Sequence, residues 1–436
     1  MNKTELISEK LLTLEKELVA DQLSFPTSLC FDADGMAYVA QSGLPWDGAS
    51  KGGNILKINR DGSLSDFASG FGYPVNGLCF HKGKFIISDG GYPGSILQVD
   101  ASGTVTPILG GLPGLGNYHT NMVVVGPDDK LYFSQGTLTN TGVIGMDAYE
   151  LGWLGRLPHN CDIPGLDIEL AGENFETVNP LAQDGEVKAI TGAFSPFNTS
   201  TVAGQKIAAG LPCTGAVMRC NMDGSGLELV AWGVRNGYGM GFLPDGRLLV
   251  TDQGADDRGS RPVGGVPDLL LEIKQGAWYG WPDFIAGRPI TDPKYTPQRG
   301  PKPKFVLQNH GDLPPPEKPL LEFPVNAAAV KFDILPKKIP RLGGHLIVAL
   351  FGDEKPMTAP PGKKVGRNIV MVDTNDWSMH ALPDLQLERP IDVKYNPVDG
   401  HLYILDFGYF EMTGVGVDSK NATGKLWKIA PEELNH

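Results

Sequence analysis

Cysteine is scarce in this chain: five in 436 residues, at Cys30, Cys79, Cys161, Cys213 and Cys220. None stands in a CxxC or CxxCH arrangement, which excludes a covalently attached c-type haem. Cys30 and Cys79 sit inside apolar runs and read as small buried hydrophobes. Cys161 and Cys213 would pair only in an oxidising compartment. Long hydrophobic runs are missing as well. No stretch approaches the roughly 20 residues of a membrane-crossing helix, so no membrane span is expected. The segment Met1 to Asp21 is charged and amphipathic, without an apolar core or a small-residue cleavage site. It does not read as a secretory leader, so the expectation is either a cytoplasmic protein or a chain shown without its leader. Positive charge is in deficit: 37 Lys and Arg against 50 Asp and Glu give a formal charge of −13. With no basic stripe, this argues against nucleic acid as a partner. An acidic surface mostly serves solubility.

What the chain has in quantity is turn residues, 57 Gly and 35 Pro. These suit many tight turns between short strands and argue against a helical protein. A phrase recurs six times: a short polar loop, an apolar run, an Asp-Gly-type turn, and a second apolar run ending in a polar or small residue. The first copy is Phe25 to Phe31, a turn at Asp34-Gly35, then Ala37 to Gln41; the others begin near Tyr73, His119, Arg235, Pro324 and Arg389. A third strand follows each phrase, as at Gly53 to Ile58 and Gly424 to Ile429, and a fourth follows several. Four antiparallel strands make a blade. The expectation is an all-β fold, a six-bladed β-propeller formed as a single domain over residues 1–436. The last unit has only three strands before the chain ends. Leu12 to Val19 is expected to supply the fourth and close the ring, which removes an open sheet edge; the other reading of this segment is a short helix.

Two long inserts, about 138–214 and 282–321, interrupt the pattern. Loops of that length in a compact domain are usually functional or disordered, and these are read as walls over the channel mouth.

In a propeller the loop before each innermost strand opens on the central channel. Here those loops bring Thr27, Asn76, His119 with Asn121, Arg235 with Asn236, Asn326, and Arg389 with Asp392. The second strands end in Gln41, Asp89, Gln135, Asp252 with Gln253, and Asp406. A ring of carboxylates, amides, one imidazole and two guanidinium groups is therefore expected. Unpaired polar groups are costly in a packed interior, so this concentration points to function. His119 is the sharpest candidate, since a neutral imidazole removes a hydroxyl proton near neutral pH. The segment Thr251 to Gly259 is the best metal candidate: its carboxylates, Gln and turn carbonyls are hard oxygen ligands suited to Ca²⁺, though it lacks EF-hand spacing.

At these residues the chain resembles the soluble glucose/sorbosone dehydrogenase family. Four stretches carry the likeness: His119 with Gly126-Pro127-Asp128 to Tyr132, Val234-Arg235-Asn236 with Phe242 to Gly246, Asp252-Gln253-Gly254-Ala255, and Trp278-Tyr279-Gly280-Trp281-Pro282. The resemblance implies a six-bladed propeller using pyrroloquinoline quinone (PQQ) and Ca²⁺ to oxidise a sugar or other alcohol or aldehyde, with electrons passing to an external acceptor. It implies that His119 is the general base, that Arg235, Asn236 and Gln253 meet the cofactor, and that Arg389 pairs with a cofactor carboxylate. The carbonyls of Gly254 and Ala255 would hold Ca²⁺. Family members are typically periplasmic or secreted. The chain departs from the family pattern where Tyr238 replaces a Gln, Ile391 a second Arg, and Gly352 a cofactor-binding Lys. Two other functions fit a propeller: a hydrolase or lactonase with a channel metal on Asp89, Asn121, Asp252 and Asp406, or a non-catalytic ligand-binding protein.

Overall fold

Each of the six phrases folds as two antiparallel strands, joined by a short turn in five of them and by a longer connection between Ile334 and Leu346 in the fifth. In the first, the Asp32 carboxylate accepts the N–H groups of Asp34 and Met36 at 3.0 and 2.9 Å, and Gly35 takes a φ of 75°. Glycine adopts that conformation without strain. The computed structural model describes residues 16–184, 187–298, 300–340, 342–352, 365–413 and 416–431.

The blade strands assemble into six sheets, each with four antiparallel strands ordered from the axis outwards. Blade one is Pro26–Phe31, Ala37–Gln41, Gly53–Ile58 and Leu64–Phe71. Blade two is Val75–His81, Lys84–Asp89, Gly94–Val99 and Val105–Leu112. Blade three is Thr120–Val125, Leu131–Gln135, Ala216–Cys220 and Glu228–Trp232, with Ala277–Trp278 added in parallel at its edge. Blade four is Gly237–Phe242, Leu248–Asp252, Leu269–Ile273 and the short Leu321–Glu322. Blade five is Ala329–Ile334, Leu346–Leu350, Asn368–Val372 and Met379–Ala381. Blade six is Pro390–Tyr395, Leu402–Asp406 and Gly424–Ile429, completed by Glu17–Leu23. Each innermost strand packs against that of the next blade, and the sixth packs against the first. The ring is a six-bladed propeller.

The N-terminal strand closes the ring, but not over the expected residues. The strand is Glu17–Leu23, pairing Glu17 with Lys428 and Leu23 with Gly424. Of the expected Leu12 to Val19, residues 12–15 lie outside the described residues. Ala20 and Leu23 are buried, whereas Leu18 is 46% exposed. The pairing partner sets this register, and the apolar spacing further upstream does not.

Neighbouring sheets hold one another face to face. Tyr38 and Ile55 of blade one pack with Leu78, Phe85 and Ile87 of blade two. Val217 of blade three packs with Met240 and Val250 of blade four. Each such side chain, fully buried, stabilises the fold by about 1.5–3 kcal/mol. Because the apolar core lies between blades, the axis is left to polar groups and a well.

The first insert is not simply loop. It carries a short helix, Met146–Glu150, and two hairpins, Ile168–Ala171 with Ala203–Ile207 and Asn174–Val178 with Lys188–Gly192. The inserts meet each other through a bridge between Leu170 and Leu307. Arg261, 1% exposed, ties both to blade four: it donates to the Thr141, Pro282 and Lys304 carbonyls and to Asp283, 2.5 Å away. All five cysteines are free, so Cys161 and Cys213 do not form the pair considered above. Among the described residues no helix is long and apolar enough to cross a membrane.

Candidate active site

A β-bulge recurs at the same place in all six blades. The strand register slips between Pro26 and Ser28, Val75 and Gly77, Thr120 and Val123, Gly237 and Gly239, Ala329 and Phe332, and Pro390 and Asp392. A bulge leaves one residue unpaired and re-aims its side chain. The residues so placed include Thr27, Asn76, Asn121, Tyr238, Val330 and Ile391, and all six line a single well of about 360 Å³ at the axis. His119, Arg235, Asn236, Gln253, Gly254, Ala255, Asp256, Arg258 and Asp268 line it from blades three and four. The first insert adds Leu151; among the described residues the second adds none of the lining, so one of the two expected walls is seen to face the well.

The expected ring of carboxylates does not face this well. Asp89 accepts N–H groups from Gly72 and Gly91, at 2.7 and 2.8 Å. Asp252 accepts those of Arg235 and Asn236, at 3.2 and 2.7 Å. Asp406 accepts those of Glu388 and Arg389, at 2.9 and 2.7 Å. Each carboxylate satisfies at least one donor of the loop leading into its own blade, and Asp89 also satisfies Gly91 just beyond its strand, N–H groups that the sheet leaves unpaired. None of the three is among the lining residues. This removes the carboxylate channel-metal set on which the hydrolase reading rested. Among the described residues there is no group of three or more His, Cys, Asp or Glu that suits a metal.

A relay of amides runs around the lining. Asn76 Nδ2 donates to Asn121 Oδ1 at 3.2 Å, Asn121 Nδ2 to Asn236 Oδ1 at 2.8 Å, and Asn236 Nδ2 to Gln253 Oε1 at 2.7 Å. It orients Asn236 and Gln253 across three blades. Asn121→Leu, similar in volume, leaves the Asn76 and Asn236 amides short of a partner. About 1–3 kcal/mol is expected for each stranded group. Urea unfolding should show that loss with an unchanged slope; unchanged stability would mean that water replaces the relay.

His119 lies half-buried beside Gly90, with a buried Nδ1 that has no hydrogen-bond partner. Burial brings its pKa down to about 4, against a smaller upward pull from the Gly90 backbone. The ring is therefore neutral at pH 7 and free to accept a proton.

Arg235 is 4% exposed, and its guanidinium reaches Asn140 O, Gln253 O, Asn140 Oδ1 and Asp256 Oδ2 at 3.1, 3.0, 2.7 and 2.9 Å. It also donates to the Tyr118 hydroxyl and lies over that ring. Arg258 donates to the same hydroxyl at 2.7 Å and to Asp256 at 3.1 Å. Burial pushes the Asp256 carboxyl up, but the two guanidinium groups outweigh it and hold the pKa below the ordinary value. Burial alone dominates at Asp268, raised to about 7 although it accepts N–H groups from Gly254 and Ala329 at 2.8 Å each.

The donor set on blades three and four fits a hard cation and quinone oxygens. The Gly254 and Ala255 carbonyls accept no hydrogen bond among the described residues, and both residues line the well beside Gln253 and Asn236. Across the well the chemistry changes. Gly352 and Ile391, where the resemblance has cations, lie among Trp46, Phe351, Phe407, Phe410 and Met412. Arg389, 1% exposed, is not in the lining. It donates to the Phe410 and Gly352 carbonyls at 3.0 Å each and to Glu411 at 2.9 Å, behind the Phe351 and Phe410 rings.

Sequence reasoning missed Tyr118, Arg258, Asp268 and Lys331. Lys331 Nζ donates to Thr27 O and Ser28 Oγ at 2.5 and 2.8 Å and to Asn76 O, linking blade five to blades one and two beneath the well. A lone Lys within the apolar strand Ala329–Ile334 was the available signal.

No protein-family model matches the chain. A curated relative, quinoprotein glucose dehydrogenase B of Acinetobacter calcoaceticus, is 25% identical over 191 residues, 41% of this chain and 29% of that protein. The match thus spans less than a third of the relative's length. Among solved structures, a PQQ-bound aldose sugar dehydrogenase from Streptomyces coelicolor matches with a TM-score of 0.55 and 15% identity, over 96% of each chain. The apo form of a soluble aldose sugar dehydrogenase from Escherichia coli gives a TM-score of 0.55 at 15% identity, over 96% of this chain and 100% of that one. These likenesses share the propeller fold.

Proposed function

We propose that this chain, which resembles the soluble glucose/sorbosone dehydrogenases in motif and in fold, is an oxidoreductase of that kind: it oxidises a sugar or other alcohol or aldehyde with PQQ and Ca²⁺. One observation carries the reading. A neutral imidazole, an Arg-Asn pair and two backbone carbonyls without hydrogen-bond donors come from separate loops to one well. In this reading Gly254 and Ala255 hold the cation through their carbonyls, with Gln253 beside them, and Arg235 and Asn236 meet the quinone. The bound quinone supplies a two-electron acceptor for hydride, which calcium polarises as a Lewis acid.

The chain's own residues do the rest. His119 receives the substrate hydroxyl proton on its imidazole, which burial keeps uncharged. Arg235, fixed by five acceptor atoms, holds its place without reorganising, which favours charge developing on an oxygen near it. The amide relay fixes Asn236 and Gln253. Arg389 acts, on this geometry, by supporting the aromatic side of the well from behind. Electrons leave to an external acceptor.

The test is reconstitution. Protein mixed with PQQ and Ca²⁺ should acquire a bound quinone absorbance and reduce a dye in the presence of an aldose or alcohol. Folded protein that takes up no quinone and reduces no dye with any of these substrates would overturn the proposal.

A further inference from the structure

One side of the well has no counterpart in the proposed chemistry. Trp46, on the connection between the second and third strands of blade one, joins Phe351, Ile391, Phe407, Phe410 and Met412 of blades five and six as a continuous apolar wall. The rings fix one another: Trp46 lies 5.3 Å from Phe410, Phe351 5.4 Å from Phe407, and Phe407 5.7 Å from Phe410 at 88°. Phe25 supports the set from below, 5.6 Å from Trp46 and 5.5 Å from Phe407. Edge-on packing of this kind makes a rigid surface. Phe351, Phe407 and Phe410 are buried at 6–7% exposure, and what remains of their surface borders the well. Among the described residues no charged group interrupts the wall. The opposite side carries the polar groups, from His119 to Gln253.

A well that is polar on one side and aromatic on the other suits a ligand with the same division. A carboxylate against this wall would be desolvated without a cation or donor, which is costly. An apolar ring there loses nothing and removes two apolar surfaces from water.

We propose that the wall is a specificity subsite for an apolar, preferably aromatic, substituent on the substrate, so that aryl or long-alkyl glycosides and arylalkyl alcohols are preferred to bare sugars. This rests on the oxidoreductase reading for what happens to the hydroxyl group, but the binding preference is measurable apart from turnover.

Calorimetric titration of the protein, with PQQ and Ca²⁺ present, compares phenyl β-glucoside with methyl β-glucoside. Burying one aromatic ring predicts about tenfold or more tighter binding of the phenyl compound. Trp46→Ala, a change on a half-exposed loop, should abolish most of that difference. Phe410→Leu, which keeps the position apolar, should reduce it. Equal affinity for the two glucosides overturns the subsite. So does a preference that survives in both variants with melting curves like the parent's. Absence of dye reduction with every substrate would instead defeat the dehydrogenase reading while the calorimetric preference stood or fell on its own.

Discussion

His119→Gln is expected to fold, to bind PQQ as the parent does, and to lose dye-reducing turnover by about 10²-fold or more, the usual contribution of a positioned general base. The substitution retains a polar group at the well and removes only the titratable one. A second readout is independent of turnover. Burial depresses the folded pKa of His119 to about 4, below the ordinary 6.5. Between those values the unfolded chain binds a proton that the folded chain refuses. Stability from this group is therefore complete above pH 6.5 and falls as the pH drops towards 4. Asp252 and Asp268 act with opposite sign. Burial raises them to about 6 and 7, so their contribution is present at low pH and declines as the pH rises above the ordinary carboxylate range. The difference between variant and parent isolates His119: His119→Gln should lose less stability than the parent between pH 6.5 and 4. Turnover unchanged in the variant removes His119 from the chemistry. Parallel stability curves would show that the ring is not held neutral by the fold.

Arg235→Met should be the most damaging single change to the site as a structure. The guanidinium joins Asn140 of the first insert to Gln253 and Asp256 of blade four and to Tyr118 before blade three. Its loss leaves Asp256 with Arg258 as its guanidinium partner and leaves the Asn140 carbonyl with the Trp281 indole N–H, 3.2 Å away. Breaking a buried pair by removing one partner costs about 3–5 kcal/mol, and the 26% exposure of the Asp256 side chain places the expectation near the lower end. Cofactor uptake should be lost as well. Arg235→Lys keeps the charge without the planar fork, so intermediate stability and weak uptake are expected. Chemical denaturation and quinone absorbance read the two effects separately. Full stability with Met at this position would mean that Arg258 alone holds the loop.

The blades were legible from sequence because the local signals agree with the fold. Alternating apolar runs, Asp-Gly turns such as Asp34-Gly35, and regular spacing all specify short hairpins, and six hairpins can bury both faces only by stacking in a ring. The loops at the channel followed from topology. Which side chains enter the well did not. Thr27, Asn76, Asn121, Tyr238, Val330 and Ile391 are aimed by bulges, and a bulge depends on pairing with a partner strand that composition does not reveal. The carboxylates Asp89, Asp252 and Asp406 were misread for a related reason: they stand near the axis, but backbone N–H groups in their own loops claim them. Arg389 shows the same effect, with carbonyls and Glu411 engaging its donors. The closing strand was placed too early because Leu12 to Val19 was assigned from its position before the first phrase, whereas pairing with Gly424–Ile429 selects Glu17–Leu23. The aromatic wall draws on three blades and is invisible to any local motif.

The most direct measurement is a crystal structure of the protein soaked with PQQ and Ca²⁺. The account predicts a planar density in the axial well, against Arg235 and Asn236, with a cation on the carbonyls of Gly254 and Ala255. A well that stays empty at saturating concentrations, or cofactor density bound at another face of the propeller, would contradict it.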